Sequence, residues 1–459
     1  MSDPIADSAQ ALFDEAILTY KGQPAGTVAA RGSVGLAAEN YLECFVRDFF
    51  VSALVFLQQG RPEPVRNFLQ AILECQPQQL HFSAGKMEPG VFPASFRVVR
   101  DKNGESLSAD FGERAIGRVA PVDSAMWWVI LLGIYVKQTG DRSFLQDAKV
   151  QARLGSILDL LLKDTFEIFP TLLVPDASFM IDRRMGVYGH PLEIQALFFG
   201  VLVTALECLP ETGEAAAGLR GRIQKRLQAL RSYVRIFYWL DLERLMEIHR
   251  FGTEEFGTGS VNMLNVFPDN IPNWVEDWLP DQGGYLVGNL GPGRMDFRMF
   301  SQGNLLAILF GLATPDQAKN ILDLFEARWD NMMGAMPVKI CYPAMKGLPW
   351  HIVTGSDPKN VPWSYHNGGN WPVLLWPFVA AALKAGRRDL AERACALAGP
   401  RLLTDHWPEY YDGMRGRLIG RRANLGQVWS AAGYLVARHL LKDSSLLALF
   451  PAEECDCPS

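Results

Sequence analysis

Apolar residues recur with a helical period over most of this chain. The pattern predicts helices over roughly residues 5–20, 39–59, 62–75, 122–140, 144–162, 189–208, 212–238, 296–313, 315–331, 368–386, 388–399 and 424–443. Pro62, Asp123, Pro191 and Pro315 stand where helices should begin. Gly60, Gly140, Gly386 and Gly399 stand where they should end. Strand and helix signals do not alternate, so a doubly wound α/β fold is not expected.

Short turns at 59–62, 140–142, 210–213, 314–315 and 386–388 join helices into about six hairpins. The two helices of a hairpin differ in character. Each first helix opens on a polar or aromatic cluster, such as Asn40-Tyr41 followed by Arg47-Asp48, or Asp123 followed by Trp127-Trp128. Each second helix is amphipathic: Leu219, Ile223, Leu227 and Leu230 share one face, opposite Arg220, Arg222, Lys225 and Arg226. The expected solution is an all-α fold, an (α/α)6 barrel. Six inner helices would form a ring inside six outer ones, and long loops would build a funnel at the inner N-termini. An irregular helical bundle is the alternative.

Composition narrows this only in part. The 459 residues carry a net charge of −6 and are 49% hydrophobic, enough for a large core. No linker or compositional shift divides them. One catalytic domain over 1–459 is expected, with an N-terminal extension at 1–35 and a flexible tail at 451–459. The acidic balance argues against nucleic acid. Arg415, Arg417, Arg421 and Arg422 read as a solvated turn. No membrane span or signal segment is apparent, and the seven cysteines sit mostly in apolar helical patterns. A reduced, cytoplasmic protein is expected. Cys455 and Cys457 lack nearby partner ligands, and no metal or nucleotide motif stands out, so no cofactor is expected.

Two clusters hold more ionisable chemistry than a helix start requires. Asp182-Arg-Arg184 leads through His190, Glu193 and Gln195 into an apolar helix, and Glu409 lies in Trp407-Pro-Glu-Tyr-Tyr-Asp412. Either acid could be an ordinary solvated residue. Set among aromatics and donors, the two point to a two-carboxylate hydrolase acting on a polyhydroxy ligand. Asp182 reads as the general acid, although its neighbouring arginines favour the charged form and oppose that role. Glu409 reads as the base that holds water. Arg47-Asp48 offers a donor and a bidentate acceptor, or only a local charge pair. Residues 361–372 combine His366, Asn367 and Trp371 with Gly368-Gly369, which permits close backbone approach.

Together these strings resemble the alkaline/neutral invertases, glycoside hydrolase family 100, over about residues 36–443. The matching segments are Phe45-Val-Arg-Asp-Phe49, Pro93-Ala-Ser-Phe96, Asp110-Phe-Gly-Glu113, Ala115-Ile-Gly-Arg-Val-Ala-Pro-Val-Asp-Ser124, residues 180–197, Lys339-Ile-Cys-Tyr-Pro-Ala344, Trp363-Ser-Tyr-His-Asn-Gly-Gly369 and Trp407-Pro-Glu-Tyr-Tyr-Asp412. The resemblance implies an (α/α)6 barrel that hydrolyses sucrose in the cytoplasm with inversion and without a cofactor. It implies Asp182 as acid, Glu409 as base, and self-association into homo-oligomers. Tyr41, Arg47, Asp48, Asp123, His190, Gln195, His366, Asn367, Trp371, Asn424 and Gln427 are the expected sugar-binding residues. The chain departs from the family pattern Ala-Arg-x-x-Gln-Thr-Trp, reading Ala423-Asn-Leu-Gly-Gln-Val-Trp429. Asn424 is expected to face the funnel in place of a guanidinium, a change that bears on sugar preference. Another small glycoside as substrate, or a weakened sugar-binding protein, stays open on the residues alone.

Overall fold

Two kinds of helix alternate along the chain. The structure, a computed structural model, describes residues 3–31, 39–75, 81–82, 85–86, 88–102, 104–113, 121–163, 169–174, 179–181, 183–250, 266, 268–291 and 294–452. Twelve of its helices correspond to the twelve predicted ones. They are α1 (Pro4–Glu15), α2 (Val46–Gln58), α3 (Glu63–Glu74), α4 (Ser124–Thr139), α5 (Ala148–Leu161) and α6 (Leu192–Cys208). Then follow α7 (Glu214–Phe237), α8 (Ser301–Leu309), α9 (Pro315–Ala327), α10 (Leu375–Lys384), α11 (Arg388–Thr404) and α12 (Val428–Lys442).

The even-numbered helices are apolar almost all round. Residues 124–136 of α4, 192–205 of α6 and 301–309 of α8 are buried without a break. A helix with no polar face must be enclosed by protein. The contacts show how: α2 packs on α4, α4 on α6, α6 on α8, α8 on α10, α10 on α12, and α12 returns to α2. Burying one large apolar side chain contributes roughly 1.5–3 kcal/mol, so this ring dominates the core. The odd-numbered helices bury one stripe each, such as Ile223, Leu227, Leu230 and Val234 on α7. α1, α3, α7 and α11 pack directly on ring helices, α5 packs on α3, and α9 packs on the strand Gly284–Gly291. Their ends follow local chemistry. Thr314 and Gln317 form a capping box on α9, and α4 stops at Gly140 with φ +71°.

The inner helices start later than their periodicity suggests. Residues before α2, α8, α10 and α12 have helical spacing but bond sideways. Cys44–Phe45 pairs with Ser95–Asp101, and Arg294–Phe300 pairs with Gly284–Gly291 in a hairpin. Asn370 exchanges backbone bonds with Tyr411. These strands at the mouth of the ring, with the hairpin Ser95–Asp101/Gly104–Asp110, are the elements the apolar pattern did not reveal.

The chain start is tied in as well. Ala29–Arg31 backbone bonds reach Glu43, Tyr41 and Gly426, and Val428 N donates to Ala29 O. The segment therefore lies between the entry to α2 and the entry to α12. Among the described residues, no helix is long and apolar enough to cross a membrane.

Candidate active site

The loop between α11 and α12 is bent so that Glu409 points inward. His406 and Trp407 adopt φ of +58° and +55°, a left-handed conformation uncommon outside glycine. Tertiary contacts hold it there. Trp407 Nε1 donates to Ser8 Oγ of α1 at 3.1 Å. Glu409 N donates to Asn424 O at 2.8 Å. A side chain at Gly420 would meet the Tyr410 ring at 2.2 Å, so the loop can close only over a glycine.

The Glu409 side chain is 3% exposed, yet its carboxylate is surrounded by donors. Tyr41 Oη donates to Oε1 at 2.8 Å. Asn424 approaches Oε2 with its backbone N at 3.4 Å and its Nδ2 at 3.3 Å. Lys359 Nζ lies 3.8 Å from Oε2. Burial, followed by the Glu409 charge, drives the Tyr41 phenol well above its ordinary pKa, so it stays a donor.

Aromatic rings wall this mouth. Tyr365 stacks on His366 at 3.9 Å, and Trp371 stacks on Tyr410 at 5.4 Å. Trp371 Nε1 donates to Tyr365 O at 3.2 Å, and its ring is fully buried between His366 and Tyr410, so it braces the wall from behind. Such a wall suits the apolar faces of sugar rings and excludes bulk water.

Deeper in the ring lies a charge cluster. Arg47 of α2 makes a bidentate pair with Asp123, whose Oδ2 also accepts from Trp127 Nε1 at 3.2 Å. Burial opposes the Arg47 charge, but Asp123 outweighs it and raises the guanidinium pKa. Glu193 of α6 is 1% exposed. Its Oε1 accepts from Met180 N at 3.1 Å and from Gln302 Nε2 at 3.4 Å. Burial first, then Asp123, pushes its carboxyl up to about 8 against the pull of Arg47. Asp48 is pushed up to about 7 by burial, with Arg47 opposing and Glu409 adding to the rise. A cavity of about 20 Å³, room for roughly one water, is lined by Arg47, Trp127, Met180, Gln302 and Trp429.

Of the expected sugar-binding residues, Tyr41 and Asn424 touch Glu409, and Asp48 lies within its electrostatic reach. His366 and Trp371 form the aromatic wall, and Arg47 and Asp123 form the floor. Four others are placed differently. Gln195 is fully buried. Its amide is used up by Leu172 N and O at 2.8 and 3.0 Å and by Pro191 O at 3.3 Å. Asn367 likewise spends its amide on Met345 N and O and on Asn360 O. Both hold backbone, which corrects their expected role. His190 sits in the sheet opposite Leu290, bonds Thr171 Oγ1 at 2.9 Å, and has its pKa lowered by burial. Gln427 is 1% exposed and immediately precedes α12, and its Oε1 has no hydrogen-bond partner among the described residues. Asp182 lies outside the described residues.

A second cavity, of about 1050 Å³, opens beside Trp274, Phe297, Asp296 and Arg298 and does not include Glu409. Its volume alone would make it the first choice for a site. The buried carboxylate, its donors and the aromatic wall lie elsewhere, and chemistry outweighs volume.

The sequence profile of the alkaline and neutral invertases matches residues 9–444. The chain belongs to that family. Probable alkaline/neutral invertase D of Arabidopsis thaliana is 50% identical over 453 residues, 98% of this chain and 85% of that protein. Cytosolic invertase 1 of Oryza sativa subsp. japonica is 50% identical over 453 residues, 98% of this chain and 80% of that protein. Other relatives carry chloroplastic or mitochondrial names. Among solved structures, a GH63 mannosylglycerate hydrolase from Thermus thermophilus in complex with glucose aligns at TM-score 0.54 with 14% identity. That alignment covers 95% of this chain and 99% of that one, and it speaks for the fold alone.

Within an invertase site, the departure at Asn424 takes on a definite geometry: its amide donates to Glu409 itself. Glu193, Lys359 and Tyr365 were missed as site residues. Lys359 belongs to a Ser-Asp-Pro-Lys turn just before the 361–372 loop, and that adjacency was the available signal. Glu193 stands out in the sequence as part of the ionisable cluster before α6 but carries no assigned role there, and only the fold shows that it faces Asp123 and Arg47.

Proposed function

We propose that this invertase cleaves sucrose with inversion, using Glu409 as general base and Asp182 as general acid. As a member of its family the chain is a glycosidase that hydrolyses sucrose to glucose and fructose. The residue roles are our reading. Asp182 protonates the bridging oxygen while Glu409 takes a proton from the water that attacks the anomeric carbon. Atoms balance with one water consumed and one proton returned from base to acid through solvent.

The observation that carries this reading is the buried Glu409 carboxylate, which is ringed by donors inside an aromatic mouth. Donors to both oxygens hold the carboxylate in one orientation, as a base that must meet a water on one side requires. Asp48 and Arg47 would bind sugar hydroxyls, and His366, backed by the buried Trp371, would line the sugar face. The six buried helices are read as the inner shell of an (α/α)6 barrel forming one domain over 1–459. A cytosolic location follows the name of the rice relative, and self-association is carried over as an expectation.

The test is sucrose hydrolysis by the purified protein, followed by NMR of the first anomer released. Inverted configuration supports the scheme; retained configuration rejects it. A second reading, a different small glycoside as preferred substrate, is favoured by Asn424 on Glu409. A panel of glycosides compared by kcat/KM separates the two.

A further inference from the structure

Between Asp412 and Ala423 the chain leaves the base loop and comes back to it. The excursion starts three residues after Glu409 and ends beside Asn424, whose carbonyl accepts from Glu409 N. It is a closed turn. Tyr411 bridges to Ile419, Asp412 N donates to Leu418 O at 2.8 Å, and Gly416 N donates to Asp412 O at 2.8 Å. The rest of the protein grips its carbonyls. Ala335 N donates to Arg415 O at 2.8 Å, and the Arg401 guanidinium donates to Gly416 O and to Arg417 O. Gly416 has φ +63°, and a side chain there would meet Met336 N at 2.7 Å. The backbone of this knob is therefore fixed, while most of its side chains are left outside.

Those side chains are of two kinds. Met414 is 63% exposed, Leu418 68% and Ile419 40%. Arg415, Arg417, Arg421 and Arg422 are exposed in the same excursion, and none is ion-paired among the described residues. The two acids of this region are committed elsewhere. Asp412 accepts from Met414 N at 3.1 Å. Asp405 pairs with Arg401 at 3.1 Å and accepts from Tyr411 Oη at 2.9 Å. One exposed leucine needs no explanation, but apolar side chains gathered on a rigid turn among unpaired arginines do. In a chain of net charge −6 the knob is basic and apolar at once.

We propose that this knob docks on an anionic membrane surface. The arginines meet lipid phosphates, which a guanidinium grips with two parallel hydrogen bonds, and Met414, Leu418 and Ile419 enter the acyl boundary. The pairing of charge with hydrocarbon selects this occupant. A nucleic acid or an acidic peptide would satisfy the arginines and leave the apolar tip in water. A membrane interface takes both, with phosphate outside and hydrocarbon within. The contact is peripheral and reversible, because one weak membrane signal attaches only marginally and the two act together. It gives the enzyme a location beyond its chemistry, and it does not depend on which residues are acid and base.

The test is co-sedimentation of the full chain with phosphatidylcholine vesicles, with and without phosphatidylserine, at low and high salt. The parent should bind the phosphatidylserine vesicles at low salt, leave them at high salt, and ignore phosphatidylcholine alone. Arg415→Gln with Arg417→Gln should weaken binding by roughly thirtyfold. Met414→Ser with Leu418→Ser keeps every charge and should weaken it by roughly tenfold or more. All four side chains are exposed, so both double variants should hydrolyse sucrose like the parent, which also shows them folded. A parent that binds neither vesicle overturns the proposal. Binding that ignores both double variants puts the membrane contact elsewhere and overturns it too. If the arginine variant alone loses binding, the apolar tip takes no part, and a general polyanion site replaces the membrane reading. If sedimentation velocity shows a parent oligomer that the apolar variant breaks up, with no vesicle binding, the occupant is a second copy and the proposal fails.

Discussion

Glu409 and Glu193 are both almost wholly buried near the same ring of helices, at 3% and 1% exposure, but their surroundings differ. Glu409 receives a phenol, two N–H groups of Asn424 and an ammonium. Glu193 receives one backbone N–H and one long amide bond, and it faces Asp123. The first pocket brings donors to both oxygens of its carboxylate. In the second, burial and then the Asp123 charge push the carboxyl up to about 8, against the pull of Arg47 and the Met180 N–H. The lesson is that two equally buried acids can be held in different ways: Glu409 by hydrogen-bond donors from distant segments, Glu193 mainly by its neighbours' charges.

The largest expected effect is on the mouth side of this comparison. Glu409→Gln keeps shape and removes the base, so turnover should fall by roughly two to four powers of ten. Sugar binding, measured by calorimetry, should change little. Turnover within tenfold of the parent would take Glu409 out of the mechanism.

On the floor side, Arg47→Met should strand Asp123 without its partner. Breaking a buried pair costs about 3–5 kcal/mol, so denaturant unfolding should show a loss of that order. An unchanged unfolding midpoint would mean that the pair contributes nothing net.

Glu193→Gln sharpens the contrast between the two glutamates. In the parent, the folded carboxyl is raised to about 8 from an ordinary 4.5. The folded state then holds a proton that the unfolded state releases, so stability falls as pH rises across that window. The glutamine variant should flatten this slope while keeping the acceptor for Met180 N. A parallel slope in both proteins would show that Glu193 is not the group responsible.

The smallest effect should come from Asn424→Ala. It deletes one neutral side-chain donor to Glu409 and leaves Tyr41, Lys359 and the backbone N–H in place. A hydrogen bond of that kind is worth about 0.5–1.5 kcal/mol, so kcat/KM on sucrose should drop roughly two- to tenfold. The variant Asn424→Arg, assayed on several sugars, tells whether the amide sets preference or merely holds the base.

Much of the fold was legible because burial imposes periodicity. Each predicted helix has its counterpart, and the apolar-all-round helices are those that form the ring. Their starting points were not legible. Cys44–Phe45 and residues 296–300 have helix-compatible spacing but pair as strands, the first with the distant Ser95–Phe96 and the second with the neighbouring Gly284–Gly291. The site was legible where a residue's chemistry is unusual for its neighbourhood, as with Glu409 among aromatics. It was misread at Gln195 and Asn367, whose amides look free in sequence but are consumed by backbone groups. Lys359 was hidden for the converse reason: an ordinary surface-type residue becomes part of the site only when a turn is brought against Glu409.

The bond between Tyr41 and Glu409 joins residues 368 positions apart. The segment Ala29–Arg31 is held between the flanks of the same two segments. The catalytic mouth is therefore the seam where the beginning of the chain meets its end. Contacts of such separation form late, after the intervening loops have closed. A ribosome-bound chain that still lacks α12 has five ring helices and no closed seam, so sucrose should meet a finished enzyme or none. The same seam would make a split at the exposed turn 210–213 between α6 and α7 a way to switch the enzyme on by mixing two inactive halves.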